Sequence, residues 1–598
     1  MMKRLSVVIP TYNRRHVLER TLPALSAQDL PPEEYEVIVV VDGSTDGSVE
    51  LLRVWKPKCA FRILESENRG PSAARNAGIH AAVGDIVLLL DDDHIAVPAL
   101  FRKHCESHSG SEPSLVHGPV RVAPSGSKTM FRYISETCYE GLYHRLNPEM
   151  ELRYPEQGDS FLEVIASMGN SSIPRDTLLA SGAFDERIRA AEDLELGVRL
   201  WKMGVRFRFQ PAAIVYEFHV KSSGNYLQNQ APALGAGDLI ASRKHPEYRS
   251  HSRLAGFAET SLPRRWLRSA LVRLPVSPVP MLGLPLRFEK WFYSFSPMRQ
   301  LGGHLLRFAE TVARLRGALS VAGSWEALRS EFDRKLPGLL YHHVGPSPSG
   351  DPQAITVSPE RFEQQMRWLA RRGYTGITLS AWLCWRREGT GLPEKPIIIT
   401  FDDAYADIAE FALPILRQYG FGAVVYVVTG QLGGSNNWDE AQYCRNLRLM
   451  TAEQIQYWAG QGIEFGAHTR THPDLTQLSA LDVSAEVVGS KNDLSALIGS
   501  PVISFAYPYG AYNDAIRELV QREFDLAFGV DEGMNYLRSD PHHLRRVHIG
   551  PTASFLEFAL CVRRGKIKKF RALRNRLAVR TRLRRALSYI TGRLVHNE

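Results

Sequence analysis

Two groups of residues in this 598-residue chain have the types and spacing to hold a metal ion. In the first, Asp91, Asp92 and Asp93 follow the apolar run IVLLL. A strand that ends in adjacent carboxylates offers hard oxygen ligands, which suit Mg2+ or Mn2+. Such a cation bridges the two phosphates of a nucleotide diphosphate and neutralises charge as a leaving group departs. Taken alone, an acidic run reads more readily as a solvated loop. In the second group, IIITFDDAY places Asp402 and Asp403 at the end of an apolar strand, and FGAHTRTHP places His468 and His472 four residues apart. Two imidazoles and one carboxylate make a His2Asp set with positions open for water and substrate. A metal there lowers the pKa of bound water and polarises a carbonyl. A second carboxylate, off the metal, can take the water's proton. Asp402 and Asp403 are placed to divide those two jobs. An isolated H-x-x-x-H is more often a pair of surface histidines.

The elements that must position these groups can be read from hydropathy. SVVIP, YEVIVVVD, CAFRILE and DIVLLLDDD are short apolar runs that predict buried strands. Helix-like stretches lie between them, at Arg15 to Gln28 and Ser72 to Val83. Alternation of this kind predicts an α/β fold with a mostly parallel sheet. Ligands bind such sheets at the carboxyl ends of the strands, which here carry Thr11, Asn13, Asp42, Ser44 and Asp91 to Asp93. A second alternating region runs from LPGLLYHHV through KPIIITFDDA, FGAVVYVVT, IEFGAHT and VISFAYPYG, and predicts a (β/α) barrel-like domain. The expected layout is therefore 1–225, an α/β nucleotide-sugar unit; 226–335, a partly helical accessory and linker region; 336–562, the second α/β unit; and 563–598, a basic tail.

The first region resembles the family-2 inverting glycosyltransferases of the GT-A type. The resemblance rests on VVIPTYNR, VVVDGSTDGS, ENRGPSAARNAGI and LLLDDD in that order and spacing. It implies a nucleotide-diphosphate sugar as donor, with Thr11, Asn13, Asp42 and Asp46 near the nucleotide and Arg75 near the base or phosphates. Asp91 and Asp93 become the D-x-D pair flanking Asp92, with Asp93 the direct metal ligand. The family often has a second acid after the first in VVDDGSTD, where this chain has Gly43. In FDERIRAAEDLELG, acids opening a helix are favoured by its dipole, so Glu192 and Asp193 read first as a cap. The resemblance makes Asp193 the general base, ahead of Glu192. His219 stands where relatives carry a metal- or phosphate-contacting histidine, with a structural histidine as the alternative.

TFDD, H-T-R-T-H-P and FAYPYG together resemble the NodB-type polysaccharide deacetylases, carbohydrate esterase family 4, over roughly Leu336 to Pro551. The resemblance implies Asp402 as general base and Asp403, His468 and His472 as ligands of Zn2+ or another divalent metal. It places Tyr507, Pro508 and Tyr509 along the sugar groove, with the Tyr509 N–H as a candidate oxyanion donor. Two departures stand out. The arginine that tethers the base usually precedes the Pro-Tyr pair, but this chain has Ala506-Tyr507 there. The late leucine-x-histidine motif of the general acid is matched only loosely, by His548 in LRRVHIG, with Arg546 or no equivalent as alternatives. His342 and His343 read as groove or structural residues. The expected function is thus bifunctional: inverting sugar transfer plus hydrolysis of an N-acetyl group. The alternative is a transferase joined to a non-catalytic, glycan-binding module.

Composition sets the remaining expectations. At 44% hydrophobic and 23% charged, the chain is that of a globular protein. Its six cysteines form no close pair, which fits a reducing compartment. No apolar run reaches the roughly 20 residues of a membrane span, and none at the start makes a signal segment. These features predict a cytoplasmic protein. The net charge of +9 is concentrated late: Arg563 to Arg593 contains no acid. Phe570, Leu573, Leu577, Leu583, Leu587, Ile590 and Leu594 recur there at helical spacing, which predicts a basic amphipathic helix on an anionic membrane surface. A packed terminal helix and a nucleic-acid contact are the alternatives, and neither α/β region carries a nucleic-acid motif. Peripheral attachment at the inner membrane face would suit a glycan or lipid-linked acceptor.

Overall fold

The apolar runs SVVIP, YEVIVVVD and DIVLLL form strands buried on both faces, while CAFRILE, expected to be buried, forms a partly exposed strand at the sheet edge. These features are seen in a computed structural model that describes residues 4–110, 112–123, 132, 136, 151–152, 168–188, 190–218, 222–257, 262–275, 296–346, 355–439 and 447–566. The chain divides into two units, Met1–Leu328 and Arg329–Glu598. The basic tail helix expected over 563–598 lies, beyond residue 566, outside the described residues.

In the first unit the strands in chain order are β1 (Leu5–Thr11), β2 (Tyr35–Asp42), β3 (Ala60–Ser66), β4 (Ile86–Leu90), β5 (His94–Ala96), β6 (Ser114–His117), β7 (Val120–Val122), β8 (Glu151–Leu152), β9 (Asn170–Pro174), β10 (Arg206–Phe209) and β11 (Val215–Glu217). The main sheet has the order β3-β2-β1-β4-β9-β6-β10-β8, and β5-β11-β7 form a small second sheet. β1 to β4 pair in parallel, while β9 runs antiparallel to both β4 and β6. Successive side chains alternate between faces. Val8, Ile38, Val40, Val87 and Leu89 therefore share one core with helix Pro71–Ala81, and Val7, Ile9, Val37, Val39 and Leu88 share the other with helix Arg15–Ser26. This is the α/β sheet expected of a GT-A-type domain.

The accessory region contributes two long helices, Ala231–Lys244 and Ser296–Ala322, which pack against each other. Glycine permits the contact: a Cβ on Gly235 would lie 2.0 Å from the Arg314 carbonyl oxygen. Gly237 seats the same helix, Ala231–Lys244, on the loop before Glu192, where a Cβ would lie 1.8 Å from the Ala190 oxygen.

The second unit contains β12 (Leu336–Tyr341), β13 (His343–Val344), β14 (Thr356–Val357), β15 (Thr375–Gly376), β16 (Pro396–Phe401), β17 (Val424–Val427), β18 (Glu464–Ala467), β19 (Ser504–Ala506), β20 (Leu526–Phe528), β21 (Met534–Asn535) and β22 (Val547–His548). The order is β20-β19-β18-β17-β16-β12-β21, with β15 on β16 and β22 on β12. β12 and β16 to β20 are parallel, and the sheet curls into a half-barrel. Ser358, Thr451, Ser479 and Asn513 each cap the helix that follows with a side-chain oxygen. Those helices bury Phe362, Met366, Ile455, Trp458, Val487 and Val520 against the sheet. Among the described residues, no helix is long and apolar enough to cross a membrane.

Beneath the first sheet lies a layer of buried histidines. His104 hydrogen-bonds Ser172 and Asn170, His108 shares Ser172, and His117 meets Ser171. Burial pushes His104 down to about 3 and His108 and His117 down to about 4. In the unfolded chain these imidazoles titrate near 6.5, so below that pH the unfolded state binds more protons. The contribution of these three histidines to stability should be level above pH ~6.5 and fall towards pH ~4, against an opposite contribution from the raised carboxyls of Asp92 and Asp193. Calorimetry across that range should show it, and His104→Asn should flatten the slope.

Candidate active sites

The carboxyl ends of β1, β2 and β4 open onto a cavity of about 760 Å3, whose wall includes Thr11, Asp42, Arg75, Asp91, Asp92, Asp93 and Asp193. Two of the residues expected near the nucleotide bind the backbone instead. Asn13 adopts a positive φ of 51° and accepts from the Thr45 N–H at 2.7 Å. Asp46 accepts from the Arg15 N–H at 2.8 Å and from Ser48. Both shape the loops beside the cavity and are not in its wall. Asp42 does line it, and accepts from the Arg69 and Gly70 N–H groups at 2.9 Å each.

The three adjacent acids share two arginines: Arg14 Nη1 donates to both Asp92 and Asp93, the latter at 2.9 Å, and Arg75 donates to Asp91. Asp92 accepts from Thr11 Oγ1 and Arg14 Nη1, both at 2.8 Å. Burial pushes its pKa up to about 6 against the pull of Arg14. Asp91 and Asp93 remain near the space, and His94 joins them, with one ligand atom from each lying within 4.8 Å of the others. His94 Nδ1 is buried without a hydrogen bond. Two carboxylate oxygens and one imidazole fit a cation of the Mn2+ or Mg2+ class. The sequence reading missed His94, although the run DDDH carried the signal.

Arg75 ties this cluster to the far wall. Its buried guanidinium donates to Asp91 at 3.0 Å and to Glu192 at 2.9 Å, and stands 3.8 Å from Asp193 Oδ1. It lines the cavity and is held there by carboxylates, because a buried cation must find counter-charges. Glu192 is thereby engaged. Asp193 accepts from the Met168 N–H at 3.2 Å through Oδ2, while Oδ1 has no donor. Burial, reinforced by Glu192 and Asp91 and opposed by Arg75, pushes Asp193 up to about 7. A carboxylate so raised is a competent base near neutrality. His219 lies outside the described residues.

In the second unit, Asp402 and Asp403 follow β16, His468 follows β18 and His548 ends β22. Asp403 Oδ1 stands 3.5 Å from His468 Nε2 and 3.4 Å from His472 Nε2 and accepts no hydrogen bond. The other nitrogens are occupied: His468 Nδ1 meets the Ala506 oxygen at 2.7 Å and His472 Nδ1 meets the Tyr509 hydroxyl at 3.2 Å. Each Nε2 is thus oriented inward, as metal-binding histidines are. Burial lowers His472 to about 4, which keeps it neutral for ligation. Burial would raise Asp403, but the two histidines hold it below the usual carboxylate range. An orphaned carboxylate oxygen facing two imidazole nitrogens fits a divalent cation such as zinc.

Asp402 receives a forked clamp. Arg546 Nη1 and Nη2 each donate to one of its oxygens at 2.6 Å, Nη1 also reaches Thr400 Oγ1, and Nε donates to the Gly529 oxygen. The guanidinium is buried against the rings of Tyr426 and Phe528. Where no arginine stands before Pro508, Arg546 of the segment leading into β22 holds Asp402. His548 lies with its ring 5.4 Å from that of His342.

The groove residues separate. Tyr507 is 1% exposed, packs on Tyr512 and donates to the His542 oxygen at 3.3 Å, so it and buried Pro508 support the groove from below. Tyr509 is 56% exposed, with its ring 4.7 Å from that of His472. Trp438, not singled out in the sequence, stacks on His472 at 4.7 Å.

Residues 6–169 match the family model described as Glycosyl transferase family 2, and residues 389–525 match that described as Polysaccharide deacetylase. A Bacillus subtilis (strain 168) protein named for a polysaccharide deacetylase, YxkH, is 26% identical over 228 residues, 38% of this chain and 76% of that protein. Validoxylamine A glucosyltransferase of Streptomyces hygroscopicus subsp. limoneus is 30% identical over 227 residues, 34% of this chain and 48% of the relative. The chain thus spans about half the length of that relative. Poly-beta-1,6-N-acetyl-D-glucosamine N-deacetylase of Staphylococcus aureus (strain MRSA252) is 25% identical over 217 residues, 35% of this chain and 72% of the relative.

Removing the clamp should separate base positioning from metal binding. Arg546→Met should lower acetate release by about a hundredfold, the scale of a small misplacement, while the zinc content measured by elemental analysis stays at the parent level. Loss of the metal as well would make Arg546 a general structural residue. Asp403→Ala should lose both.

Proposed function

The chain carries an N-terminal family-2 glycosyltransferase domain and a C-terminal polysaccharide deacetylase domain, and from that pairing we propose an enzyme that both extends and deacetylates a glycan. The observation that carries this reading is the repetition of one arrangement: a divalent-cation ligand set beside a second carboxylate outside the set. Asp91, Asp93 and His94 form the first set with Asp193 opposite. Asp403, His468 and His472 form the second with Asp402 adjacent.

In the transferase half, Asp91, Asp93 and His94 would hold Mg2+ or Mn2+, which when bound offsets the charge of the departing nucleotide diphosphate. Asp193 takes the proton of the acceptor hydroxyl while that oxygen attacks the anomeric carbon from the face opposite the leaving group, which inverts the centre. Arg75 occupies Glu192 and leaves Asp193 as the proton acceptor. A nucleotide-diphosphate hexose or N-acetylhexosamine is the proposed donor, a reading supported by the glucosyltransferase name of one relative.

In the hydrolase half, Asp403, His468 and His472 would hold Zn2+ or another divalent cation, which when bound acidifies water and polarises the amide carbonyl. Asp402, aligned by Arg546, removes the proton of the attacking water. His548 is the proposed donor of a proton to the departing amine, and the Tyr509 N–H the proposed donor to the developing oxyanion. Trp438 and Tyr509 offer ring faces on which a sugar can stack. An N-acetylated amino sugar is the proposed substrate, supported by the name of the staphylococcal relative. The glycan acceptor is proposed to be lipid-linked, with the basic 563–598 segment resting on the inner face of the membrane.

Incubation with a panel of nucleotide sugars and N-acetylated glycans, followed by mass spectrometry, tests the whole reading. Transfer should depend on added Mg2+ or Mn2+, and acetate release should stop on chelation and return with Zn2+. Asp193→Asn should lower transfer by about 10^2–10^4-fold and leave acetate release intact. Because Asp193 must be deprotonated, transfer should fall as pH drops below about 7. Undiminished transfer by Asp193→Asn would sink the base assignment.

A further inference from the structure

The helices beside the transferase sheet hold a charged cavity that neither reaction uses. It has a volume of about 240 Å3 and is lined by Arg253, Arg268, Arg307 and Arg314, with Glu310 as the acid among its lining residues. Glu310 is already engaged, accepting from Arg314 Nε at 2.8 Å and from the Tyr226 hydroxyl at 2.7 Å, with Arg253 Nη1 3.8 Å away. Arg268 and Arg307 have no carboxylate partner among the described residues, and Arg268 Nε is buried without an acceptor. Burial, and then Arg264 one turn earlier, hold Arg268 below its ordinary pKa. Four guanidiniums around one engaged carboxylate leave a strong positive field. Their planar forks match phosphate oxygens better than any other common anion-binding group.

Arg268 belongs to helix Leu262–Arg273, whose outer face is apolar. Trp266 is 73% exposed, Leu267 44%, and Leu274, just past the helix end, 46%. At helical spacing these residues and exposed Ala270 fall on one stripe. The helix is fastened to its neighbour, because Arg316 Nη1 donates to the Leu271, Val272 and Leu274 oxygens at 3.4, 3.0 and 2.9 Å. Trp266 is thus held outward on a fixed support. An indole beside leucines, flanked by arginines, is the pattern of a helix that lies in the lipid–water interface.

We propose that Arg253, Arg268, Arg307 and Arg314 form a site for the phosphate of an anionic phospholipid head group, with Trp266, Leu267 and Leu274 entering the bilayer interface beside it. This proposal rests on neither the basic tail nor either assigned reaction. It bears on the transferase nonetheless. Tyr226, which contacts Glu310, begins the segment whose Asn229, Gln230, Ala233 and Leu234 line the transferase cavity. The helical layer that would meet the lipid also forms part of the wall of that cavity.

Co-sedimentation of the full chain with vesicles tests the site. Phosphatidylcholine vesicles are compared with equal parts phosphatidylcholine and phosphatidylglycerol. Arg307→Gln should weaken binding to the anionic vesicles about fivefold, and the Arg268→Gln/Arg307→Gln pair about 25-fold. Trp266→Ala should weaken it too, while acetate release from a soluble substrate stays at the parent level in all three. Arg307 and Trp266 are exposed, so those two variants decide the outcome if the change at half-buried Arg268 disturbs folding. Unchanged vesicle binding by Arg307→Gln and Trp266→Ala would overturn the proposal and leave the tail as the docking element. Displacement from vesicles by inorganic phosphate, with Trp266→Ala neutral, would overturn it in favour of a soluble phosphate ligand.

Discussion

The carboxylates at both sites lie largely out of water, and guanidiniums hold them there, Arg14 and Arg75 in the first unit and Arg546 in the second. Taking a carboxylate from water costs several kcal/mol unless donors and counter-charge replace the lost hydration. Arg546 supplies both to Asp402 through a two-pronged contact. Arg75 does the same across the transferase cavity, joining Asp91 of one strand end to Glu192 of a helix start. Each arginine leaves one nearby carboxylate less satisfied than its neighbours, Asp193 in the first unit and Asp403 in the second. In the first unit the less engaged carboxylate, Asp193, faces the cavity, and in the second, Asp403 faces His468 and His472. Adjacent acids of the same type thereby acquire different roles.

Backbone strain is concentrated in the same places. Among the described residues, the non-glycine positions at positive φ are Asn13, Ala183, Ala191, Asp403, Ala404, Thr469, His472 and Tyr509. All but Ala183 lie at a site or in a loop that shapes one. Each such residue costs about 1–3 kcal/mol, a cost tolerated only where the surroundings over-determine the geometry. The surroundings here are the strand ends. Asp403 turns off β16 with a positive φ, which lets it face His468 and His472 while Asp402 faces Arg546. Ala191 turns the chain into the helix that begins with Glu192, and Gly237 of the packed accessory helix backs that turn.

The accessory region shows how little local pattern constrains a supporting layer. Its sequence, with scattered prolines and arginines, predicts only a partly helical linker. In the structure, helix Ala231–Lys244 and helix Ser296–Ala322 lie close enough to need glycine at the contact, and a buried Tyr226–Glu310–Arg314 network joins them. Small residues and long-range polar pairs of this kind carry no hydrophobic period, so they give no signal in a single chain.

What can be read from the sequence alone is everything set by local order. Continuous apolar runs ending in acids or histidines predict buried parallel strands with polar ends, and parallel strands put those ends on one edge. That logic locates Asp91 to Asp93, Asp402, Asp403 and His468 and the α/β class of both units. The tertiary structure decides which side chains meet once those ends converge. Arg546 reaches Asp402 across 144 residues and Arg75 reaches Glu192 across 117. His94 joins its acids through the pairing of β5 with β11, while Tyr507 turns into the core and Tyr509 out of it. Periodicity reports only which face a residue takes. Partnership between distant strand ends depends on sheet order and curl, and those are settled by packing the whole unit.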